Sequence, residues 1–357
     1  MSILDKYIFR KFLTTFLFVV AIMIVVVVVI DFTEKNDKFI KNNVSYIDIL
    51  NYYYSFIPYI ISLVTPITAF IATVYVTSQL ANRTEIIPIL SSGNSYLSII
   101  KPFFYGSIII AIISFSLNAF IIPYLNKERI SFELMYIKSP FYFSDKNIHF
   151  KIDDQTYLYL ERYDNNMDIG YNVTIENFNS LKLENKLFAK QIIWDNKSKN
   201  WRFKSWEKRI LNNDGEVIID GDDFDTTLLI SPSDFDNKYG LSETLTLNEL
   251  NEFIQLQKLR GSDDIKLYYI EKYIRYAQPF TVLILVVLGV IIAVKKTRQG
   301  TGYLIAIGFS IAFLFITFFV MTRAFAENGG LNPMIAVWAP NLLFGLITYY
   351  LYKVVMN

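Results

Sequence analysis

Six long runs without a charged residue divide the chain, and each is long enough to cross a membrane as a helix. A helix of about 20 apolar residues spans the hydrocarbon core of a bilayer, and its own hydrogen bonds satisfy its backbone there. The second run contains Pro58 and Pro66, which favour a kinked or tilted helix. The pattern therefore predicts a membrane α-helical protein with six transmembrane helices, at residues 12–30, 49–82, 102–126, 276–294, 299–322 and 328–352.

Between the third and fourth runs the hydrophobic period changes to two. Ile148 and Phe150 alternate with polar partners, which is typical of strands with one buried face. Turn signals rich in Asp and Asn recur at residues 164–166, 195–200 and 212–215. Residues 127–245 are therefore predicted to form an inserted all-β domain, jelly-roll-like, whose strand order the pattern does not specify.

After the predicted strands, the capping box Thr246-Leu-Asn-Glu249 indicates the start of a helix, and Gly261 is placed to end it. Apolar residues recur there at helical spacing, at Leu247, Leu250, Phe253 and Ile254. An amphipathic connector that leads back to the membrane is expected. The predicted organisation is residues 1–126 for helices one to three, 127–245 for the β domain, 246–275 for the connector and 276–357 for helices four to six.

The distribution of basic residues predicts the orientation in the bilayer, because Lys and Arg concentrate in cytoplasmic loops. With the N-terminus inside, the inner segments hold nine basic residues and the short outer loops hold four. Both termini are therefore expected in the cytoplasm and the β domain outside it. The first run is expected to remain as an anchor, because it exceeds a signal-peptide core and no small-x-small site precedes Asp31.

Composition narrows the possible chemistry. The 34 basic and 33 acidic residues leave a net charge of +1, so no global field attracts nucleic acid. With no cysteine and one histidine, the chain lacks the residues for disulfides, zinc fingers or thiolate nucleophiles, and no metal or cofactor is expected on it. No G-x-x-x-x-G-K-[ST] sequence occurs, so ATP, if used, is bound by a partner subunit. The six runs contain no ionisable acid, base or histidine, which disfavours an ion-driven transporter.

Residues 84–93 are mostly apolar although they lie in a predicted cytoplasmic loop. Exposed apolar surface often marks a partner site. A short helix with Thr84 near its cap would carry Glu85 in its first turn. Three apolar side chains would share one side and suit the groove of another protein: Ile86, Ile89 and Leu90. A helix that lies on the lipid surface is the alternative.

Four motifs, spread over the whole chain, are specific in their order and spacing. They are Leu4-Asp-Lys-Tyr-Ile-Phe-Arg-Lys11, Asn82-Arg-Thr-Glu85 followed by Leu90-Ser-Ser-Gly93, Arg275 with Pro279, and the run from Asn332-Pro333 to Trp338-x-Pro340-Asn341. Together they resemble the amphipathic start, the cytoplasmic coupling motif and the C-terminal pattern of the LptF/LptG permease family. The opening segment and the insert are more similar to the LptG branch.

The resemblance implies a transporter subunit rather than an enzyme. Such a permease pairs with a sister permease and a cytoplasmic ATPase dimer, extracts lipopolysaccharide from the bacterial inner membrane, and passes it to a periplasmic β-jelly-roll bridge. The first and fifth helices would border a cavity shared with the sister permease. The coupling motif implies ATPase contacts at Arg83, Thr84, Glu85, Ile86, Ile89, Leu90 and Gly93. The interior of the β domain is expected to receive acyl chains along Ile152, Leu158 and Leu160.

The outer end of the first run departs from the family pattern. Some family members bind lipid phosphates with a lysine at that place. This chain has Asp31 there instead. Lys38 matches a nearby basic position, and Lys35 and Lys41 lie one to two helical turns apart, so all three are candidates for contacts with lipid headgroups. The alternative is a solvated loop whose charge Asp31, Glu34 and Asp37 balance.

Two other functions remain compatible with these patterns. One is a permease for another lipid or a lipoprotein, and the other is a membrane receptor or assembly factor with a β sensor domain. A membrane enzyme is the weakest alternative, because no nucleophile pairs with a base at a recognisable spacing. Co-purification separates them, since a transporter half is expected to bring down an ATPase.

Overall fold

The computed structural model describes residues 2–138, 146–179, 182–212, 215–228, 230–235, 239–260, 262, 264–295 and 300–356. The chain forms two compact units. The helical unit contains Met1–Ile137, Ser242–Asn251 and Lys266–Asn357, and the β unit contains Lys138–Leu241 and Glu252–Ile265.

The predicted fold class is confirmed. Six of the described helices are long and apolar enough to cross a membrane, and a β sheet is inserted along the chain between the third and the fourth of them. The third of these helices is built from α4 and α5, each followed by a π-helical turn. Three shorter helices complete the set. The helices are α1 Ile3–Lys41, α2 Tyr46–Asn82, α3 Ile86–Ser91, α4 Tyr96–Ser116, α5 Ile122–Phe132, α6 Leu241–Thr244, α7 Leu247–Arg260, α8 Ile265–Ala293, α9 Gly300–Glu327 and α10 Pro333–Met356, with the π-helical turns at Leu117–Ile121 and Glu133–Ile137.

Several helices continue well beyond their apolar runs. Helix α1 extends to Lys41, so the three candidate lysines lie on a helix. The alternative of a solvated loop is therefore wrong about the backbone of this segment. Residues from Ile265 onward belong to α8, so the predicted connector 246–275 is shortened to α7. Ion pairs between residues four apart, some buried and some exposed, stabilise such extensions: Asp31 with Lys35, Arg129 with Glu133, Glu271 with Arg275, and Arg323 with Glu327.

Helix α2 is the centre of the helical unit, since 78% of its most apolar window is buried, against 11% for α1. Phe12 of α1 and Phe103 of α4 are fully buried and meet edge to face, with ring centroids 5.4 Å apart. Gly106 permits this approach, because a Cβ there would lie 2.6 Å from the Phe12 ring. Because so little of its apolar window is buried, most of the apolar surface of α1 remains free for lipid or a partner chain.

The predicted capping box is present at the start of α7. The Thr246 amide donates to the Glu249 carboxylate at 2.7 Å, and the Glu249 amide donates to the Thr246 hydroxyl at 3.4 Å. The amide and hydroxyl of Thr246 hold the pKa of Glu249 below its usual value. Leu250 and Ile254 are buried on the predicted apolar face. The expected terminator, Gly261, lies outside the described residues.

The β unit holds a six-stranded antiparallel sheet in which each strand pairs with the next along the chain. The prediction of an inserted β domain is confirmed. The strand order, which the sequence left open, is that of a meander. The described strands lack the crossing connections of a complete jelly-roll. The strands are β1 Lys146–Lys151, β2 Thr156–Asp164, β3 Ile169–Asn179, β4 Lys182–Asp195, β5 Asn200–Asn212 and β6 Gly215–Thr226.

One row that crosses the sheet interrupts the alternation of buried and exposed residues on several strands. On β2 the buried residues are Leu158 and Leu160, followed by Tyr163 three positions after Leu160. On β5 the partly buried Trp206 follows the buried Phe203 at the same interval. Asn147, Asn172 and Ser205, on β1, β3 and β5, adopt left-handed backbone conformations in this row, with φ between 48° and 56°. The pairing register is unchanged on either side of the row, so the strands shift together and one face keeps its apolar residues.

Candidate functional site

Residues 83–93, hereafter the coupling segment, begin with a tight turn after α2. Thr84 has φ = +60°, and its amide bonds to the Ala81 carbonyl at 3.1 Å. Helix α3 then begins at Ile86, so Glu85 stands one position before the first turn rather than in it. Gly93 ends the segment with φ = +85°, a conformation that side chains with a Cβ rarely adopt. The predicted short helix is therefore present, although it starts one residue later.

The packing of α3 places two of the predicted apolar contact residues inside the helical unit's own core. Ile86 and Ile89 are buried in the same cluster as Ile8 of α1 and Ile99 of α4, so they hold α3 against its own chain. Ile87 faces outward with 58% of its surface exposed. Sequence spacing identified a one-sided apolar face, but it could not tell that this face is used internally.

Glu85 is joined to the start of the chain. The hydroxyl of Tyr7, on α1, lies 3.4 Å from the Glu85 carboxylate, and Lys11 Nζ lies 3.5 Å from the same hydroxyl. Arg83 and Thr84 are exposed beside Glu85. The structure thus brings two of the sequence motifs together, the opening segment and the coupling segment, and Tyr7 is a contact that sequence reasoning missed.

The three candidate lysines have unlike surroundings. Lys35 Nζ lies 2.6 Å from Asp31 and 3.7 Å from Glu133, and it also bonds to the Tyr52 hydroxyl. Lys38 donates to the carbonyl of Ile137 at 2.9 Å. Lys41 is exposed in the last turn of α1. Asp31 therefore neutralises Lys35. Lys38 and Lys41 are both exposed, but the ammonium group of Lys38 is engaged by the Ile137 carbonyl.

Buried charged side chains outside the predicted site surround residues 242–245, which connect the β strands to α7. Arg129 pairs with Glu133 and with Glu243 of α6. Burial raises the pKa of Glu243, an effect that Arg129 partly offsets. Arg275 is only 3% exposed, pairs with Glu271, and donates to two backbone carbonyls, of Leu245 at 2.7 Å and Ser242 at 2.9 Å. These side chains fix the segment from which α7 starts. Arg275 was the one that the sequence indicated, through its place in the C-terminal motif.

The β unit places the three predicted acyl-chain residues in one apolar cluster. Leu158 and Leu160 are buried, whereas Ile152 packs at the edge of the cluster and is partly exposed. Ile230 and Phe235 belong to the same cluster, and the ring of Phe235 stacks on Tyr163 at 3.9 Å. The interior is thus closed around Leu158 and Leu160, and of the three predicted residues Ile152 alone contacts solvent.

Comparison with known proteins agrees with the motifs. The family model for the lipopolysaccharide export system permease LptF/LptG matches residues 6–354. LptG of Escherichia coli K12 is 19% identical over 363 residues, covering 98% of both chains, and LptG of the O6:H1 strain CFT073 matches equally well. The family resemblance is therefore confirmed over nearly the whole length. The chain belongs to the LptF/LptG family of lipopolysaccharide export permeases.

Proposed function

We propose that this chain is one permease subunit of an ABC-type exporter that extracts lipopolysaccharide from the outer leaflet of the bacterial inner membrane. A separate cytoplasmic ATPase dimer drives it, a sister permease completes the path, and a periplasmic β-jelly-roll bridge receives the lipid. Both termini lie in the cytoplasm and the β unit lies in the periplasm. Membership of the export permease family and the basic residues of the inner loops support this assignment.

The observation that carries the energy-coupling part is the two-sided packing of the coupling segment. Its inner side is anchored by Ile86 and Ile89, while its outer side presents Ile87 beside exposed polar residues. An exposed aliphatic side chain within a polar rim is a common form of docking surface. Because the chain has no P-loop, force from ATP hydrolysis enters through such a contact, and the buried anchors transmit it to α1, α2 and α4.

Two exposed helix surfaces support pairing with a sister permease. The apolar windows of α1 and α9, the first and fifth membrane helices, are 11% and 22% buried. Each leaves a wide apolar face that lipid or another helix can cover. In the proposed assembly these faces border the shared lipid cavity, Lys38 and Lys41 contact headgroup phosphates, and acyl chains enter the β unit beside Ile152 on the way to Leu158 and Leu160.

Replacing Ile87 with Asp is expected to reduce ATPase recovery when the tagged chain is purified in mild detergent. Burial of an isoleucine contributes about 1.5 to 3 kcal/mol, which corresponds to roughly ten- to a hundredfold in affinity. Recovery is measured as the ratio of ATPase to permease by quantitative mass spectrometry. Ile218→Asp, at a residue of β6 with 54% exposure, is the matched control and is expected to keep the ratio unchanged.

Equal ATPase recovery from Ile87→Asp and Ile218→Asp would contradict docking at the coupling segment. If the unaltered chain recovers a signalling protein and no ATPase, the receptor alternative is correct instead. A lipoprotein in place of lipopolysaccharide in the purified complex would identify the other kind of permease.

Lys41→Gln is expected to lower the amount of lipopolysaccharide that co-purifies while leaving thermal stability unchanged. The exposed ammonium is free to form charge-assisted contacts with phosphate, and it has little structural role. Lys35→Gln is expected to lower the unfolding temperature instead, because Asp31 loses its lysine partner and Glu133 keeps only Arg129. Lipid loading that falls only with Lys35→Gln would show that the headgroup site is not at Lys41.

A further inference from the structure

A groove in the helical unit lies outside the coupling segment and the apolar cluster of the β unit, and it shares Tyr52 with the surroundings of Lys35. It has a volume of about 670 Å³, within the range of about 300 to 1,000 Å³ that is usual for small-ligand sites. One wall is the first turns of α2, and the other is a single face of α5 and the π-helical turn after it. The lining residues are Asp48, Asn51, Tyr52, Tyr124, Lys127, Glu128, Ser131, Phe132, Met135 and Tyr136.

The charges in this groove are mixed and largely unpaired. In the part of the chain that the structure describes, no hydrogen bond or ion pair engages the carboxylates of Asp48 and Glu128. Lys127 has one distant carboxylate partner, Glu249 at 3.8 Å, and that carboxylate is already bound by Thr246. The groove therefore offers one available ammonium group and two available carboxylates.

Aromatic rings line the same groove. Tyr124, Phe132 and Tyr136 stand along the α5 wall, and Lys127 Nζ already lies 5.2 Å from the centre of the Tyr124 ring. Ring faces attract cations, and an ammonium group held among rings and carboxylates is a recurrent mode of recognition. Carboxylates and rings together thus favour a ligand that carries an ammonium group.

The position of the groove along the helices indicates what kind of molecule reaches it. Asp48 directly precedes the apolar run 49–82, and Lys127 directly follows the run 102–126. Both walls therefore change from apolar to charged at the groove, as membrane helices do at the level of lipid headgroups. Exposed Tyr46 and Tyr54 on α2 are typical of the same boundary.

We propose that this groove binds the headgroup of a zwitterionic phospholipid, phosphatidylethanolamine. Its ammonium group lies between Asp48 and Glu128 among the tyrosine rings, and its phosphate contacts Lys127. The excess of carboxylates repels lipids that carry only phosphates, so the groove selects a lipid that also carries an ammonium group. This assignment is independent of the export function proposed above.

The test compares two lipids with the same acyl chains and the same phosphate, phosphatidylethanolamine and phosphatidylglycerol, which differ in the ammonium group. The delipidated full chain in detergent is titrated with each, and bound lipid is counted by native mass spectrometry. The unaltered chain is expected to bind phosphatidylethanolamine about tenfold more tightly. Equal binding of the two lipids would overturn the proposal.

Variants then locate the preference. The double variant Asp48→Asn with Glu128→Gln is expected to bind the two lipids equally, and Lys127→Gln is expected to weaken both. The control, Asp222→Asn with Glu216→Gln, removes the same charge from exposed positions of β6 and is expected to retain the preference. A preference that survives in the Asp48 and Glu128 variant would place the ammonium site elsewhere and refute the assignment.

Discussion

Arg275→Met is expected to destabilise the helical unit by about 3 to 5 kcal/mol, because breaking a buried ion pair leaves an uncompensated charge. The substitution keeps the length of the side chain, but it leaves Glu271 without its cation and the carbonyls of Ser242 and Leu245 without their donor. Helix α6 and the start of α7 would lose their attachment to α8. The unfolding midpoint in detergent measures the effect.

Arg323→Met is the matched control for this prediction. Arg323 also pairs with a glutamate four residues away, Glu327 at 2.7 Å, but its side chain is 47% exposed against 3% for Arg275. Exposed pairs of this kind contribute about 0.2 to 1 kcal/mol. A similar loss of stability in both variants would show that the two carbonyl contacts and the burial of Arg275 add nothing.

Trp201→Ala is expected to destabilise the β unit by about 3 to 5 kcal/mol, the usual cost of removing a buried tryptophan side chain. Trp201 is fully buried, its Nε1–H donates to the carbonyl of Ile230 at 2.8 Å, and its ring meets Tyr163 at 6.4 Å. The variant would leave a cavity and an unpaired carbonyl in the apolar cluster. Limited proteolysis is expected to cut the β unit while the six long helices stay protected.

Trp194→Ala provides the comparison within the same sheet. Its ring packs against Trp201 at 5.1 Å, yet Trp194 is only partly buried and its Nε1–H bonds to the exposed Asn196. A smaller effect is expected, because part of the Trp194 side chain already contacts solvent and less apolar surface is lost from the core. Proteolysis that proceeds equally in both variants would show that the Ile230 contact and the complete burial of Trp201 are unimportant.

The sequence by itself determined those features of this protein that depend only on residues close together in the chain. Apolar runs free of charge, such as 276–294, specified the membrane helices, because the bilayer demands about 20 such residues whatever packs beside them. Thr246 and Glu249 specified a helix start, since both capping partners lie within one turn. The alternation around Phe150 specified strands. The order and spacing of the family motifs identified the permease family, which the match over residues 6–354 confirmed.

Contacts between residues distant in sequence decided the rest, and only the tertiary structure contains them. Ile86 and Ile87 are adjacent and chemically identical, yet one is buried against α1 and α4 and the other is exposed, because neighbouring helices occupy one side of α3. Lys35 is neutralised partly by Glu133, nearly a hundred residues away. The left-handed residues Asn147, Asn172 and Ser205 lie in one row across the sheet, and the buried period shifts on β2, β3 and β4 where this row crosses them. Such positions depend on which segments meet in space, a relation that the local pattern of a sequence does not specify.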